Sequence, residues 1–541
     1  MKVISRIFLI SVLLIELLLP GTINGQVVDF TSSNLPILII DTHGQEIADE
    51  YRIKADMGII YNGPGQRNNL SDSCNNYNGI IDIEYRGSFS QTFPKKPFRI
   101  ETVDSLGNNL NVSLLGMPRE NDWVLHNPYT DKSLLRNVLA YKLSNDIGRY
   151  ASRTRLCELV LNDEYQGVYV LMEKLKRDRY RINIAEIDSS DVAGDSLTGG
   201  YILKIDKLDG ENVDFWESDN FTLYQYHYPK PDEIQPQQAT YIQDYMQAFE
   251  TMFFSGNYQN SYLDFIDLNS FVDYFILNEI SKNIDGYRLS AFMYKDRESY
   301  DDRLIMGPIW DFNFAFGNAS YYQGELTSEW NLDYLLITCQ FDYPVPYWWG
   351  IIRNDVEFLQ QLKQRWPALR SGKLNSDTIV AYIDAMADTL EEAQTRNFEK
   401  WPILGQYLWP NAFIGPTYQA EIDYLKYWLL ERFEWMDDEI DQLSYIVDEP
   451  NRQPGKFQLL QNYPNPFTGE TSIRFELSVN GKVKLKVYDL LGHEVATLID
   501  EYRTAGVHIT EFNASSLPRG MYIYSLQVGN SVMSKELIVV K

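Results

Sequence analysis

The stretch of this chain best equipped for chemistry reads Gly-Pro-Ile-Trp-Asp-Phe-Asn-Phe-Ala-Phe-Gly and spans Gly307–Gly317. Asp311 and Asn313 stand two residues apart, and in a β-strand residues at that spacing face the same side. Two such oxygens suit a hard cation such as Mg²⁺ or Ca²⁺. Asp285 lies upstream, within Asn-Ile-Asp-Gly-Tyr-Arg. One acid that positions a hydroxyl and one that binds metal are the minimum for phosphoryl transfer. The alternative is a turn aspartate at the end of a buried strand.

The charge of the chain restricts the partners of any such site. The formal net charge is −27, from 48 Lys and Arg against 75 Asp and Glu. This charge repels the phosphates of nucleic acids, so we expect no nucleic-acid partner. A nucleotide would need a local basic patch and a bound metal ion. The 541 residues, 44% of them hydrophobic, are typical of a globular chain of about two to four domains.

The first 25 residues have the features of a secretory signal peptide. Lys2 and Arg6 precede a mostly apolar run, Ile7–Pro20, which is short for a membrane-spanning helix. An uncleaved membrane anchor is the alternative. Cleavage after Gly25 would leave no segment of about 20 unbroken apolar residues, so we predict no membrane span in the mature protein.

Cysteine and histidine offer little support for metal or hydrolase chemistry. Three cysteines allow at most one disulfide, and none stands in the Cys-x-x-Cys spacing that indicates zinc. The five histidines are scattered, and none pairs with another at helical spacing. These residues are Cys74, Cys157 and Cys339, and His43, His126, His227, His493 and His508.

Residues 26–236 are predicted to be rich in β-strands. Gly79–Gly87 and Pro94–Glu101 alternate apolar and polar residues, which predicts two neighbouring strands of one sheet. Leu156–Leu161 and Val168–Met172 flank a polar turn and are predicted to form a hairpin. Apolar residues at three-to-four spacing predict a helix at Asp131–Asp146. Further strands are predicted at Ser33–Ile40 and Gly199–Asp206.

Residues 237–446 are predicted to be mainly helical, because apolar residues recur there at helical spacing. The fold class is therefore α+β, with the candidate chemistry where the β-rich and helical parts meet. Clefts between two such parts are preferred sites for small molecules. The predicted helices are Gln238–Phe254, Leu268–Asn283, Asp355–Arg370, Asn375–Gln394 and Thr417–Ile446.

A polar, proline-bearing linker at residues 447–455 precedes an all-β region at residues 456–541. The size and the short strands of this region predict a small β-sandwich of the immunoglobulin-like kind. Its predicted strands are Thr471–Leu477, Lys482–Tyr488, Glu494–Leu498, Val507–Phe512, Met521–Val528 and Ser531–Val540.

Six segments, in order over roughly residues 33–440, together resemble the CotH family of spore-coat kinases in its secreted bacterial branch. Each segment alone is weak, but their shared order makes the resemblance specific. They are Ile83–Ser90 with Lys95–Arg99, Leu114–Met117 with Asn121–Trp123, Lys132–Asn137, Tyr165–Lys174, Asp285–Tyr287 and Trp310–Gly317.

The resemblance implies an atypical kinase-like fold with a β-rich lobe and a helical lobe. It also implies ATP, Mg²⁺ or Mn²⁺, and protein serines as acceptors. Asp285 matches the catalytic acid of the family, and Asp311 matches the acid that binds the metal. The other implied roles are phosphate binding by Lys95, Lys96, Arg86 and Arg136, and orientation of a lysine by Glu173. Each of these outer residues could instead be a surface charge or part of an ion pair.

Two departures from the kinase pattern leave an alternative open. Ordinary kinases place Asn five residues after the catalytic acid, and Ser290 stands there in this chain. Asn313 replaces the second acid expected in Trp-Asp-x-Asp, although both residues remain candidate metal ligands. The alternative is therefore a non-catalytic surface or matrix protein on a pseudokinase scaffold. A third hypothesis is a glycosidase with two carboxylates, suggested by the abundant aromatic and acidic residues.

The C-terminal region resembles the sorting domain of type IX secretion. The resemblance rests on Gln461–Phe467, Val487–Val495, Leu517–Tyr522 and the closing Val539–Lys541. It implies the type IX secretion machinery as a partner, and a protein that is secreted or attached to the outer surface.

Overall fold

The computed structural model describes residues 25–541 except 88, 209–213, 254–260, 340–342, 444–456, 460–461, 463–466, 478–479, 490–492, 505, 516, 530 and 541. The predicted signal peptide, apart from Gly25, and the predicted linker at 447–455 lie outside the described residues. The α+β class is confirmed, since helices and several sheets are both present.

A closed seven-stranded barrel forms the centre of the first part of the chain, in the order β2-β3-β5-β6-β7-β9-β8. Its strands pair antiparallel except for the parallel pair of β2 and β8. A separate two-stranded pair, β1 and β4, lies outside it. The strands are β1 (Ser32–Ser33), β2 (Ile37–Asp41), β3 (Ile53–Ile60), β4 (Asn68–Asn69), β5 (Tyr77–Tyr85), β6 (Phe98–Val103), β7 (Asp122–His126), β8 (Thr154–Leu161) and β9 (Glu164–Glu173).

Alternating apolar residues on these strands fill the barrel, as the period of two predicts. Ile81, Ile83, Ile100, Trp123 and Leu171 belong to one buried cluster there. The predicted pairing of the strands at 79–87 and 94–101 is confirmed as β5 with β6. The predicted hairpin is confirmed as β8 with β9.

The helix predicted at Asp131–Asp146 begins later, as α1 (Arg136–Asp146). The Asp131 carboxylate accepts the backbone N–H groups of Ser133 at 3.1 Å and Arg136 at 2.8 Å. Leu134 has a φ of +62°, which a helix does not accept. The start of the predicted segment is therefore a turn that caps the helix.

A five-stranded antiparallel sheet, β11-β12-β10-β13-β14, joins the two parts of the chain. Only β10 of this sheet was predicted. The last two strands, β13 and β14, come from the part of the chain that was predicted as helical. They are short; β13 pairs with β10, which is distant in sequence, and β14 pairs with β13. The strands are β10 (Tyr201–Ile205), β11 (Phe215–Glu217), β12 (Leu223–Tyr228), β13 (Ala291–Lys295) and β14 (Leu304–Met306).

The helices of the second part pack around α3, whose residues from Ser270 to Ser281 are all buried. All five helices predicted there are present, with ends that differ by a few residues. Single turns of 3₁₀ helix occur at Phe89–Thr92, Asp195–Leu197 and Ser261–Asp264. The helices are α2 (Pro236–Met252), α3 (Leu268–Ser281), α4 (Asn331–Thr338), α5 (Tyr347–Ile352), α6 (Val356–Arg370), α7 (Ser376–Lys400) and α8 (Tyr418–Gln442).

A polar seam holds α7 against the barrel. Asn397 on α7 accepts hydrogen bonds from the Lys95 ammonium at 2.8 Å and from the Val168 N–H at 3.1 Å. Arg396 pairs with the buried Glu158 of β8 at 2.6 Å. Charged hydrogen bonds in low dielectric are strong when both partners are satisfied, so this seam fixes the barrel on the helical part.

The C-terminal region has two facing sheets, β15-β16-β19 and β18-β17-β20-β21, around one buried cluster. Its predicted all-β character is confirmed, whereas its immunoglobulin-like topology stays a prediction. The strands are β15 (Phe457–Leu459), β16 (Glu470–Leu477), β17 (Gly481–Tyr488), β18 (Glu494–Arg503), β19 (Gly506–Asn513), β20 (Gly520–Val528) and β21 (Ser531–Val539).

Two further findings concern disulfide bonds and membrane-spanning helices. No disulfide joins Cys74, Cys157 and Cys339. Among the described residues, each helix is too short or too polar to cross a bilayer.

A buried ion pair at the centre of the helical part joins α3 to α8. Glu279 and Arg432 meet at 3.1 Å, and neither side chain is exposed. The Arg432 guanidinium also donates to the backbone oxygens of Glu279 at 2.7 Å and Thr327 at 3.0 Å. The second carboxylate oxygen of Glu279 accepts the N–H of Leu332 on α4 at 2.9 Å. The pair is thus satisfied on both sides, as a buried charge requires.

We expect the substitution Arg432→Met to cost about 3 kcal/mol or more, because it leaves the Glu279 charge buried and unpaired. Urea unfolding followed by tryptophan fluorescence measures this cost. The signal reports only on the part before residue 436, where all 11 Trp lie.

The matched control is Lys230→Ala, which breaks an exposed pair of 3.0 Å with Glu233 and should cost less than about 1 kcal/mol. The deficit of the Arg432 variant should also shrink from pH 8 to pH 5, because burial raises the pKa of Glu279 and protonation then removes the unpaired charge. Equal unfolding midpoints for the two variants would contradict this role of the pair.

Candidate active site

The loop that carries Asp311 follows β14 and is not a strand. Residues 307–312 have no regular structure, and residues 313–318 form turns. Asp311 has a φ of +63°, a conformation that non-glycine residues rarely adopt and that clusters at functional sites. The expectation that strand geometry aims Asp311 and Asn313 the same way is therefore wrong. Asn313 is half-buried, and its backbone oxygen accepts the Asn318 side-chain amide at 2.7 Å.

Helix α1 holds this loop through two polar side chains that were not predicted. The Tyr141 hydroxyl accepts the N–H of Asp311 at 3.1 Å. The Asn137 side-chain oxygen accepts the N–H of Phe312 at 2.7 Å. Positions four apart share one face of a helix, so a pair of polar residues at this spacing was the available signal.

Asp285 lies in the loop between α3 and β13, close to the buried ion pair. Lys282, Tyr287 and Ser290 all have positive φ, from +44° to +69°. The Tyr287 hydroxyl donates to Glu279 at 2.8 Å. Arg288 approaches the Asp285 carboxylate at 3.4 Å. The loop is thus strained locally and fixed from the core of the helical part.

Three carboxylates converge on this region, and Asp206 is the one that the sequence did not single out. The Ser290 N–H donates to Asp206 at 3.3 Å. Asp311 is exposed to solvent, although neighbouring protein atoms partly desolvate its carboxylate. This desolvation, with the nearby carboxylates of Asp285 and Asp206, raises the pKa of Asp311 to about 6, while Arg86 opposes the shift. Lys207 also opposes the shift, so desolvation and the neighbouring acids together outweigh the two nearby cations at Asp311.

A cavity of about 320 Å³ adjoins the acids. It is bounded by the barrel and the five-stranded sheet, and its walls combine basic and aromatic side chains. His227 has its pKa lowered to about 4 by burial, so it is neutral at pH 7. The lining residues are Asp49, Glu84, Tyr85, Arg86, Gly87, Arg99, Lys174, Leu175, Lys204, Asp206, His227, Phe292 and Trp310.

The basic side chains of the cavity differ in how far other groups neutralise them. Arg99 contacts Glu84, Glu101 and Asp122 within 3.4 Å, so its charge is matched. Lys174 lies 3.5 Å from Asp122, and burial lowers its pKa to about 8. Lys204 lies 3.2 Å from Asp206.

Arg86 is the cation of the cavity with the most donor capacity left. Its guanidinium stacks on Trp310 at 5.0 Å and makes no ion pair within 4.0 Å with any described residue. An arginine that is stacked but not paired is suited to bidentate binding of an anion.

The other predicted phosphate ligands are not brought to the cavity. Lys95 is 1% exposed and donates to Val168 at 2.5 Å and to Asn397 at 2.8 Å. Arg136 is buried against Asp131 at 2.6 Å, where it belongs to the cap of α1. Lys96 donates to the Gln91 backbone oxygen at 2.5 Å.

Glu173 orients arginines rather than a lysine. It is completely buried and meets Arg181 and Arg153, each at 3.0 Å. Tyr150 also donates to it at 3.2 Å. These contacts join the end of β9 to the segment that follows it.

The acids fit a metal ion only in part. Among the described residues, no group of three or more His, Cys, Asp or Glu side chains is spaced to hold one. Mg²⁺ is commonly bound by one or two carboxylates, with waters and substrate phosphates completing its shell. Desolvation and the neighbouring acids raise the pKa of Asp311, and a bound cation would lower it. The residues present therefore fit a metal that arrives with a phosphate ligand.

Comparison with known proteins assigns the family. The model of the CotH kinase protein family matches residues 83–436, and the chain belongs to this family. The model of the secretion system C-terminal sorting domain matches residues 461–540. The predicted family and type IX sorting domain are thus confirmed, and the sorting domain indicates secretion with attachment at the outer surface.

Other comparisons add no function. No curated protein matches the chain. A solved endo-beta-1,4-mannanase from Thermotoga petrophila is 10% identical over 24% of this chain and 26% of its own, with a TM-score of 0.12. A likeness of this size carries no argument about fold or activity.

We expect the raised pKa of Asp311 to appear as a pH-dependent stability difference. Its folded pKa of about 6 lies above its ordinary value, so ionisation costs stability above pH 6 and nothing below about pH 4. Asp311→Asn should therefore melt at a higher temperature than wild type at pH 8 and at nearly the same temperature at pH 4.5. Thermal unfolding followed by tryptophan fluorescence tests this, with exposed Asp388→Asn as control. A pH-independent difference would contradict the crowding of acids.

We expect Tyr141→Phe to loosen the Asp311 loop, because the N–H of Asp311 loses its acceptor. A hydrogen bond worth about 1 kcal/mol corresponds to about 5-fold faster amide exchange at residues 311–316. Hydrogen–deuterium exchange with mass spectrometry measures this, and Tyr427→Phe, exposed on α8, is the control. Unchanged exchange in the first variant would show that α1 does not hold the loop.

Proposed function

We propose that this protein is a secreted or cell-surface kinase that transfers the γ-phosphate of ATP to serine hydroxyls of proteins, with Mg²⁺ or Mn²⁺. The observation that carries the proposal is the convergence of Asp285, Asp311 and Asp206 beside a cavity where Arg86 is stacked on Trp310 and makes no ion pair with a described residue. A Mg-nucleotide is complementary to both groups, because its metal ion would bind the carboxylates and its phosphates would bind the Arg86 guanidinium.

Asp285 is the proposed catalytic aspartate. Its carboxylate orients the acceptor hydroxyl and accepts its proton as a general base. Arg288, at 3.4 Å, holds this carboxylate in place. Asp311 is the proposed metal ligand, with Asn313 and Ser290 as further candidates. When bound, the metal ion supplies charge neutralisation at the phosphate oxygens.

The phosphate site is proposed to be Arg86, with Lys174 and Lys204 as further point charges in the cavity wall. These three residues give the local positive charge that a chain of net charge −27 needs to attract a nucleotide. Lys95 and Arg136 are buried and do not line this cavity, so we assign them no phosphate.

Export completes the proposal. The signal peptide at 1–25 would carry the chain through the inner membrane, and the sorting domain would engage the type IX machinery. The active region would then face substrates outside the cell, where its high net negative charge favours solubility.

The test is transfer of label from γ-labelled ATP to protein, with Mg²⁺ or Mn²⁺, by the full mature chain. We expect Asp285→Asn and Asp311→Asn to lose transfer by on the order of 100-fold or more. Arg86→Ala should instead weaken nucleotide binding by roughly 10-fold or more, because it removes a charge-assisted hydrogen bond. Lys230→Ala, on the exposed surface, is the control and should match wild type.

The same experiment separates the alternative functions. Nucleotide binding without transfer to any protein, in both wild type and variants, would favour the pseudokinase scaffold, to which Ser290 and Asn313 point. The absence of both nucleotide binding and phosphate transfer would contradict the kinase proposal outright. Cleavage of a polysaccharide that depends on Asp285 would support the glycosidase hypothesis instead.

A further inference from the structure

An exposed aromatic shelf lies beside the acids, formed by Phe89, Phe314, Tyr321 and Trp409. Trp409 is its centre, with ring centroids 5.0 Å from Phe89, 6.0 Å from Phe314 and 5.4 Å from Tyr321. Its ring lies nearly parallel to that of Tyr321, at 14°. Trp409 is nevertheless 45% exposed and Phe89 is 40% exposed. Large apolar side chains that are held rigidly and left open to solvent are typical of binding surfaces.

The shelf is connected to the proposed catalytic acid by a chain of contacts. The Tyr321 ring lies 5.1 Å from the Tyr322 ring, and the Arg288 guanidinium lies 5.2 Å above Tyr322. Arg288 in turn approaches Asp285 at 3.4 Å. Phe314 belongs to the same loop as Asp311. Burial raises the pKa of Tyr321, and the Asp285 and Asp311 carboxylates add to this shift, so a polypeptide on the shelf lies near both acids.

The shelf and the cavity are separate surfaces. None of the four shelf residues lines the cavity, and the shelf carries no charge, whereas the cavity contains Arg86, Lys174 and Lys204. The shelf itself offers a phosphate no cation. The neighbouring carboxylates of Asp285 and Asp311 also repel an acidic ligand. The chemistry of the shelf thus fits an uncharged, flat or apolar side chain.

We propose that the shelf binds the acceptor polypeptide through an aromatic or proline side chain next to the phosphorylated serine. Both kinds of side chain dock on aromatic surfaces, with ring stacking in the first case and an extended Pro-rich segment in the second. This inference rests on the proposed kinase function and adds its acceptor class. In the reaction, the serine oxygen forms a bond to the γ-phosphorus, the bond to the oxygen of departing ADP breaks, and the hydroxyl proton passes to Asp285.

The test is phosphorylation of a degenerate serine-peptide library by wild type, Trp409→Ala and Tyr407→Ala. Tyr407 is a matched control, because it is 48% exposed and stands two residues from Trp409 outside the shelf. Wild type and the control should select an aromatic residue or proline at fixed positions. Trp409→Ala should lose this selection and raise KM for the selected peptide about 30-fold. Its affinity for Mg-ATP should stay unchanged, and Trp409→Phe should recover part of the selection.

The outcomes distinguish the shelf from the kinase. Phosphorylation without positional preference, equal in wild type and Trp409→Ala, would overturn the shelf and leave the kinase intact. A loss of Mg-ATP affinity in Trp409→Ala would also overturn it, since the shelf would then belong to the nucleotide site. No transfer to any peptide or to the protein itself would overturn both proposals.

Discussion

The buried pair of Glu279 and Arg432 is the interaction on which the candidate active site depends. Its carboxylate ties together the end of α3, the start of α4 and, through Tyr287, the loop that carries Asp285. Its guanidinium anchors α8 to the same point. A charge pair in this position is costly to bury and adds little stability over apolar residues. Its value here is positional, because a strained loop keeps one conformation only when its surroundings fix it.

A second constraint is electrostatic and acts among the charged side chains of the candidate active site. Asp285, Asp206 and Asp311 stand close enough to raise the pKa of Asp311, whereas Arg86 lies beside them without an ion pair to a described residue. A protein selected for stability alone would match these charges to one another. The same separation of charge is what a nucleotide and its metal ion would use. The aromatic shelf then provides an uncharged surface on which an acceptor can rest beside the acids.

The sequence predicted the long helices, the barrel hairpin and the two acids, because each depends on local periodicity or on a short motif. It did not predict β13, whose few residues form a strand by pairing with the distant β10, or β14, which pairs in turn with β13. It also could not tell that Lys95 is buried, because its partner, Asn397, comes 302 positions later in the chain. Asp206 and Tyr141 were missed for the same reason, since their roles arise from tertiary contacts with loops far away in sequence.

The central claim is that Asp311 and Arg86 together form a site for a metal-bound nucleotide. Crystals of the mature chain grown with Mn²⁺ and a non-hydrolysable ATP analogue test it directly through the anomalous signal of manganese. The account predicts a manganese peak beside the Asp311 carboxylate, with phosphate density at the Arg86 guanidinium. Nucleotide bound elsewhere, or manganese at this acid without phosphate at Arg86, would contradict it.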